Sequence, residues 1–341
     1  MLNKVYQLIR PRQFEVVYKD ISFAKDNIIV HPEYLSICNA DQRYYQGLRS
    51  ESVLRDKLPM ALIHEAIGRV VYDPGGEFAP GCRVVMIPNT PMEKDPIVAE
   101  NYLRSSRFRA SGFDGFMQEY VSMAPDRLIP LPEDMNPCTA AFTEIVSVCC
   151  HTITRFCRMA HDRRRRIAVW GDGNVGYLTS LLLHYLLPET EICVIGINEY
   201  KLNEFSFADR VYLSDTLPEG FSFDHAFECV GGGGASKAIN QAIDHIEPEG
   251  TIAIMGVSED PAPINTRMVL EKGLRIFGSS RSGREDFLKL LETYREYPDM
   301  LNYLEKIVGA VIEVRNVADA KQAFETDIHK VMGKTIMVWQ Q

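Results

Sequence analysis

The chain has 341 residues, which is long enough for two domains that each bury a core. Its formal net charge of -9 argues against nucleic acid or an anionic membrane as the main partner. No segment reaches the roughly 18 apolar residues of a membrane helix, and the N-terminus lacks the apolar core of a signal peptide, so a cytoplasmic location is expected. The eight cysteines form no CxxC pair or disulfide framework and are expected to be free thiols.

Short β-rich segments dominate the first 130 or so residues. The runs "NIIVHPEYLSI", "IGRVVYD" and "CRVVMIP" are separated by Pro, Gly and Asp turns. This spacing is typical of a β-rich domain and not of βαβ units.

A different pattern begins at residue 167, where a strand, a glycine turn and an apolar-faced helix follow one another in "RIAVWGDGNVGYLTSLLLHYLLP". Apolar strands then recur, with helices between several of them, which predicts a parallel sheet covered on both faces. The last 60 residues return to a helix and a closing strand. We therefore predict an α/β protein in which a Rossmann doubly wound domain, residues 146–280, is inserted in a β-rich catalytic domain, residues 1–145 and 281–341.

The glycine turn has the pattern GxGxxG between a strand and a helix, the context in which it binds a dinucleotide. The alternative is a packing turn in another kind of α/β protein. The candidate cofactor residues of this turn are Gly171, Gly173, Asn174, Val175 and Gly176.

The end of the second strand indicates which nucleotide binds. An NAD site usually carries Asp or Glu there, but the strand "ICVIG" ends at Gly196 and the next acid is Glu199. A glycine leaves room for a 2′-phosphate, so NADP(H) is favoured over NAD(H). The predicted cofactor residues beyond the turn are Asn198, Tyr200, Lys201, Val230, Gly256 and Val257. Lys201 has the alternative of an ordinary solvated lysine.

Four residues form a candidate metal site: Cys38, His64, Glu65 and Glu144. Zinc accepts thiolate, imidazole and carboxylate ligands, and a catalytic site uses three protein ligands. On chemistry alone the set is only suggestive, because a single cysteine or histidine is more often an inert core residue.

The order of these motifs, Cys-x-x-Asp, His-Glu, "TEIVSVCCH" and GxGxxG, resembles the zinc-dependent medium-chain alcohol and polyol dehydrogenases. The resemblance covers the whole chain and implies that the β-rich domain is GroES-like. It also implies that Cys38, His64 and Glu144 hold a catalytic zinc, with Glu65 as a fourth or alternating ligand. Asp41 would orient His64.

Two departures from that family bear on the site. Residues 89–115 lack the four cysteines of the family's structural zinc, so we expect one catalytic zinc and no structural zinc. Ala40 stands where the family commonly has a serine or threonine that relays the alcohol proton. We therefore expect a water, with Glu65 or Tyr45 participating, to supply the proton.

The segments "ADQRYYQG", "KLPMALIHE", "FDHAFECVGG" and "GSSRSG" resemble, more narrowly, the ribulose-5-phosphate reductases, also called ribitol-5-phosphate dehydrogenases. This resemblance implies NADPH-dependent reduction of D-ribulose 5-phosphate, a sugar phosphate, for CDP-ribitol and teichoic acid or capsule synthesis. It also implies a homodimer and coupling to a ribitol-5-phosphate cytidylyltransferase. Arg43 and Arg281 are candidates to bind the substrate phosphate, each with an ordinary ion pair as the alternative.

Two other functions remain open. One is a zinc polyol or alcohol dehydrogenase that acts on an unphosphorylated substrate. The other is a non-catalytic nucleotide-binding scaffold, against which the retained Cys38, His64 and Glu144 argue.

Overall fold

The computed structural model describes residues 1–23 and 26–341. The chain divides into two compact units. The first contains Met1–Ile145, Ser282–Glu292 and Leu304–Gln341, and the second contains Val146–Arg281 and Thr293–Tyr303. The division differs from the predicted domains in that Arg281 and Thr293–Tyr303 group with the second unit. None of the helices in the described ranges is long and apolar enough to cross a membrane.

The strands are β1 (Leu2–Arg10), β2 (Gln13–Asp20), β3 (Ile28–Ser36), β4 (Met60–Ala61), β5 (Glu65–Tyr72), β6 (Arg83–Met86), β7 (Asn89–Thr90), β8 (Arg107–Phe108), β9 (Val121–Met123), β10 (Leu128–Pro130), β11 (Arg166–Trp170), β12 (Glu191–Gly196), β13 (Arg210–Leu213), β14 (Phe223–Glu228), β15 (Ile246–Ile254), β16 (Arg275–Gly278), β17 (Val308–Val314) and β18 (Lys334–Trp339).

The helices are α1 (Asn39–Tyr45), α2 (Glu51–Lys57), α3 (Pro137–Ala140), α4 (Thr143–Met159), α5 (Asn174–Leu186), α6 (Glu199–Leu202), α7 (Ala235–His245), α8 (Thr266–Glu271), α9 (Arg284–Glu296), α10 (Met300–Lys306) and α11 (Val317–Ile328). Two short 3₁₀ helices cover Pro125–Arg127 and Gly232–Gly234.

The first unit is built on a mostly antiparallel sheet with the strand order β10-β6-β5-β3-β18-β17, in which β9 also pairs with β3. A second sheet has the order β2-β1-β4. Alternating inward residues of these strands form the core, among them Val5, Leu35, Ala66, Val84 and Met337. The prediction of a β-rich domain is confirmed.

The second unit is a six-stranded, all-parallel sheet with the order β13-β12-β11-β14-β15-β16. This is the 3-2-1-4-5-6 order of dinucleotide-binding folds, which bind their ligand beyond the carboxyl ends of the strands. The central strands are buried along their length, β14 at every residue, because both faces of a parallel sheet are covered. The prediction of a Rossmann doubly wound sheet is confirmed.

Residues 89–115, which were considered above for a structural zinc, contribute Glu100 to a partly buried ion pair. Arg127, which is almost fully buried, donates to both carboxylate oxygens of Glu100 at 2.8 and 3.4 Å. The backbone N–H of Arg284 donates to the same carboxylate at 2.8 Å. A Cβ at Gly283 would lie 2.8 Å from Cγ of Glu100, so glycine allows the close approach.

His225, in β14, is buried and held in its neutral form. Its Nδ1 accepts a hydrogen bond from the backbone N–H of Thr251 at 3.1 Å, which leaves Nε2–H to donate to the carbonyl of His161 at 3.2 Å. Burial and, to a smaller extent, His161 lower the pKa of His225 to about 4. The neighbouring Asp224 opposes this shift, and Arg164 adds to it.

We expect this histidine to make the second unit less stable in acid. The side chain has a pKa of about 6.5 in the unfolded state. As the pH falls from about 6.5 towards 4, the unfolded state therefore binds a proton that the folded state does not bind. The loss should be about 3 kcal/mol by pH 4. Urea unfolding at several pH values should show a smaller loss for His225→Asn, whose amide keeps an acceptor and a donor. An equal pH dependence in both proteins would contradict this assignment.

Candidate active site

Three of the predicted metal ligands meet at one end of the sheet of the first unit. The ligand atoms of Cys38, His64 and Glu65 all lie within 4.8 Å of one another, with Cys38 partly exposed and the other two buried. The strand register explains the meeting, because Ser36 of β3 pairs with Glu65 of β5 and places the end of one strand beside the start of the other. Thiolate, imidazole and carboxylate are a donor set that zinc accepts, so these residues fit that metal.

Asp41 connects the two segments that carry the cysteine and the histidine. Its buried carboxylate accepts hydrogen bonds from the backbone N–H of Cys38 at 3.2 Å and of Ile63 at 2.9 Å. One oxygen also lies 3.7 Å from Nδ1 of His64. Burial lowers the pKa of His64, but Asp41 and Cys38 together raise it well above its ordinary value. Asp41 and Cys38 therefore both favour positive charge at the position of His64.

The residue before His64 has a strained backbone. Ile63 has φ of 72°, a left-handed conformation that a β-branched residue rarely adopts. The N–H of Ile63 donates to the carboxylate of Asp41, and the carbonyl of Ile63 accepts a hydrogen bond from the N–H of Phe116 at 2.7 Å. A Cβ at Gly115 would lie 2.3 Å from that carbonyl oxygen, so only glycine fits there. Strain of this kind is often found at functional sites, where the surrounding contacts impose it.

Lys334 is a site residue that sequence reasoning missed. Its Nζ lies 2.9 and 2.8 Å from the two carboxylate oxygens of Glu65, and both side chains are almost completely buried. Ile336 pairs with Ser36 in antiparallel register, which places Lys334 opposite Cys38 at the end of β3. Glu65 thus lies in the metal cluster with its charge balanced by a lysine from the far end of the chain.

Glu144, in the first turn of α4, lies beside this cluster but outside the group of three. Its side chain is buried, and burial raises the pKa of its carboxyl to about 7. His64 and Lys334 oppose that shift, while Glu65 and Asp41 add to it. Its carboxylate is therefore electrostatically coupled to the cluster, and its assignment as a third zinc ligand stays a prediction.

Tyr45, predicted to participate in proton transfer, packs among aromatic side chains. Its ring stacks on Phe324 and Phe14, and its hydroxyl donates to Glu325 at 2.7 Å. Burial and this hydrogen bond raise the pKa of the phenol. These contacts are typical of a packing residue between α1 and α11, and the participation of Tyr45 in proton transfer stays a prediction.

The two arginines predicted to bind phosphate lie in different units. Arg43 is half-buried in the last turn of α1, where burial and the neighbouring guanidinium of Arg49 lower its pKa. Arg49 therefore adds to the positive potential around Arg43. Arg281 belongs to the second unit, follows β16, and has a left-handed backbone with φ of 58°.

The predicted cofactor residues of the glycine turn lie between β11 and α5. Gly171 has φ of 128°, and a Cβ at Gly176 would lie 1.9 Å from the carbonyl oxygen of Gly171. A Cβ at Gly173 would meet nothing within 4 Å, which leaves the turn open to a ligand. The N-terminus of α5, where Asn174 and Val175 lie, can then meet the negative charge of a pyrophosphate.

The loops after β14 and β15 approach each other at the same edge of the sheet. A Cβ at Gly256 would lie 2.2 Å from the backbone nitrogen of Gly231, so the two loops need glycines. Val230 and Val257 are 43% and 63% exposed there, which suits an apolar wall for a cofactor. The loop after β12 carries Asn198, Tyr200 and Lys201.

The reasoning from Gly196 requires one correction. A glycine was expected to leave empty room for a 2′-phosphate, but a Cβ at this position would lie 2.7 Å from Cβ of Asp172. The side chain of Asp172, from the glycine turn, therefore occupies this space.

Comparison with known proteins is consistent with the metal cluster of the first unit and, separately, with the glycine turn of the second. Residues 24–133 match the family described as "Alcohol dehydrogenase GroES-like domain", and residues 185–296 match "Zinc-binding dehydrogenase". Both family models match, and related proteins match the chain along its whole length. The chain therefore belongs to the zinc-binding, medium-chain alcohol dehydrogenase family.

Within that family the chain is similar to proteins named ribulose-5-phosphate reductase. It is 52% identical over 340 residues to the one from Bacillus spizizenii, covering 100% of both chains. It is 52% identical to ribulose-5-phosphate reductase 1 of Staphylococcus aureus, covering 99% of each chain. A crystal structure of S. aureus TarJ in complex with NADPH superposes with a TM-score of 0.90 at 47% identity, covering 100% of both chains.

Proposed function

We propose that this protein reduces D-ribulose 5-phosphate to D-ribitol 5-phosphate with NADPH, assisted by one catalytic zinc. The reaction consumes one NADPH and one proton, and the ketone becomes a secondary alcohol. The product would supply CDP-ribitol for teichoic acid or capsule synthesis. A cytoplasmic homodimer, functionally coupled to a ribitol-5-phosphate cytidylyltransferase, belongs to the same proposal, and its support is the resemblance to ribulose-5-phosphate reductases.

The observation that carries this proposal is the cluster of Cys38, His64 and Glu65 in a chain that is 52% identical, end to end, to a ribulose-5-phosphate reductase. A scaffold without catalysis would not need three convergent metal ligands around a strained backbone. The relative of known structure that bears NADPH supports the choice of cofactor.

The residues of the first unit would bind the metal and fix the positions of its ligands. When bound, zinc would supply a Lewis acid for the ketone oxygen, and NADPH would supply the hydride. Cys38, His64 and Glu144 would hold the metal, with Glu65 as a fourth or alternating ligand. Asp41 would fix the positions of Cys38 and His64 through its three contacts.

The proton for the product oxygen would come from water. Ala40 has no hydroxyl to relay it, and the hydroxyl of Tyr45 is engaged by Glu325. Among the carboxylates of the cluster, Glu65 would order such a water, because its ion pair with Lys334 fixes its position.

Arg43 would bind the substrate phosphate in the first unit. It lies two residues after Asp41, on the helix that Cys38 caps, and Arg49 adds a second positive charge beside it. Guanidinium groups match phosphate oxygens in geometry as well as in charge. Arg281 is a second candidate, from the second unit.

The proposal is tested by comparing substrates that differ only in the phosphate. With NADPH, kcat/KM for D-ribulose 5-phosphate should exceed that for D-ribulose by about 100-fold or more, and D-xylulose 5-phosphate should be measured alongside. Arg43→Ala should raise KM for the phosphorylated ketose about 10-fold or more and leave the rate with D-ribulose nearly unchanged. The exposed Arg55→Ala is the matched control. Equal efficiency with both ketoses would favour an unphosphorylated polyol as the natural substrate.

A further inference from the structure

Asp172, the second residue of the glycine turn, ties that turn to the loop that follows β12. One oxygen of its carboxylate accepts hydrogen bonds from the backbone N–H groups of Ile197 and Asn198, at 2.9 and 2.8 Å. Hydrogen bonds to a charged acceptor are stronger than neutral ones. A side chain of the glycine turn therefore fixes the position of the loop after β12.

The same side chain explains the glycine at the end of β12. A Cβ at Gly196 would lie 2.7 Å from Cβ of Asp172 and 2.8 Å from its Oδ2. Any side chain at residue 196, including the acid of an NAD site, would push Asp172 away from the loop. The lack of an acidic residue at position 196 is therefore what allows Asp172 to reach the loop.

The anchored loop carries the groups that face the adenosine ribose end of a dinucleotide in this fold. The Oδ1 of Asn198 accepts a hydrogen bond from the N–H of Lys201 at 3.2 Å and begins the short helix α6. Tyr200 is 64% exposed, and Lys201 is half-buried. Both can donate to a phosphate, but only while the loop that carries them has a fixed position.

We propose that Asp172 is a positioning residue for cofactor specificity: it fixes the loop after β12 so that Asn198, Tyr200 and Lys201 are preorganised for the 2′-phosphate of NADPH. A preformed loop lowers the ordering cost of binding. NADH lacks the 2′-phosphate and gains little from this loop. The inference rests on the proposed use of NADPH.

The test measures dissociation constants for NADPH and NADH by fluorescence titration, without substrate, together with kcat and KM. Asp172→Ala should weaken NADPH binding about 10-fold and NADH binding by less than about threefold, with kcat nearly unchanged. Asp172→Asn keeps an oxygen for the two N–H groups and removes a negative charge, so it should bind NADPH at least as tightly as the parent. Asp162→Ala, whose side chain is fully exposed, is the control.

Gly196→Ala disturbs the same contact by adding a methyl group next to Asp172, so the test does not depend on one variant. It should weaken NADPH binding as Asp172→Ala does, and the double variant should lose no more than either single one, because both changes break one contact. NADPH binding by Asp172→Ala equal to the parent, equal losses for both nucleotides, or additive losses would overturn the inference. If the parent protein fails to prefer NADPH over NADH, the cofactor proposal itself is wrong.

Discussion

Replacing Cys38 with serine should remove the catalytic metal and almost all activity. A serine hydroxyl stays protonated near neutral pH and is a poor ligand, whereas the cysteine binds as a thiolate. Loss of an outer-shell partner typically lowers activity 10–100-fold, so loss of a direct ligand should lower kcat/KM by about 1,000-fold or more. Zinc content by elemental analysis should fall from about one atom per chain to nearly none.

Cys157→Ser is the matched control, because Cys157 is exposed and belongs to the second unit. It should keep both its zinc and its rate. Nucleotide binding by Cys38→Ser should also be unchanged, since the glycine turn is in the second unit. A Cys38→Ser protein with a full complement of zinc and a normal rate would show that Cys38 is one of the inert core thiols.

Replacing Lys334 with methionine should give the largest loss of stability. The change leaves the carboxylate of Glu65 buried without its counter-charge, at contacts of 2.9 and 2.8 Å. Breaking a buried ion pair from one side typically costs about 3–5 kcal/mol. Urea unfolding of metal-free protein, followed by a signal from the first unit, should show this loss.

Two further variants separate the charge from the packing. Lys334→Arg keeps the positive charge and should recover part of the loss. The double variant Glu65→Gln with Lys334→Met removes both charges and should be more stable than Lys334→Met alone. If Lys334→Met unfolds at the same urea concentration as the parent, the ion pair contributes nothing and Glu65 has another partner.

The fold could be predicted from the sequence because the patterns that indicate it lie within short segments of the chain. The alternation of strands and helices after residue 167 predicts the parallel sheet, and the glycine turn marks its first crossover. Cys38 and His64 were found through the order of motifs along the chain. The strand register that brings them together could not be read from either segment alone.

The parts of the site that were missed depend on distant contacts. Lys334 meets Glu65 across 269 positions of sequence, and only the pairing of β18 with β3 brings them together. Asp172 is a variable position of the GxGxxG pattern, so the pattern gives it no role, yet its side chain reaches across to the next loop. Tyr45 is close to Asp41 in sequence, but its side chain packs against α11, and its participation in proton transfer stays a prediction.

The most direct test of a zinc-assisted reductase is the rate of NADPH oxidation with D-ribulose 5-phosphate, measured on one sample before chelation, after removal of the metal, and after zinc is restored. We expect the rate to fall about 100-fold or more on removal and to return with about one zinc per chain. An unchanged rate in protein verified to be free of metal would contradict the assignment of Cys38, His64 and Glu65 to a catalytic zinc site.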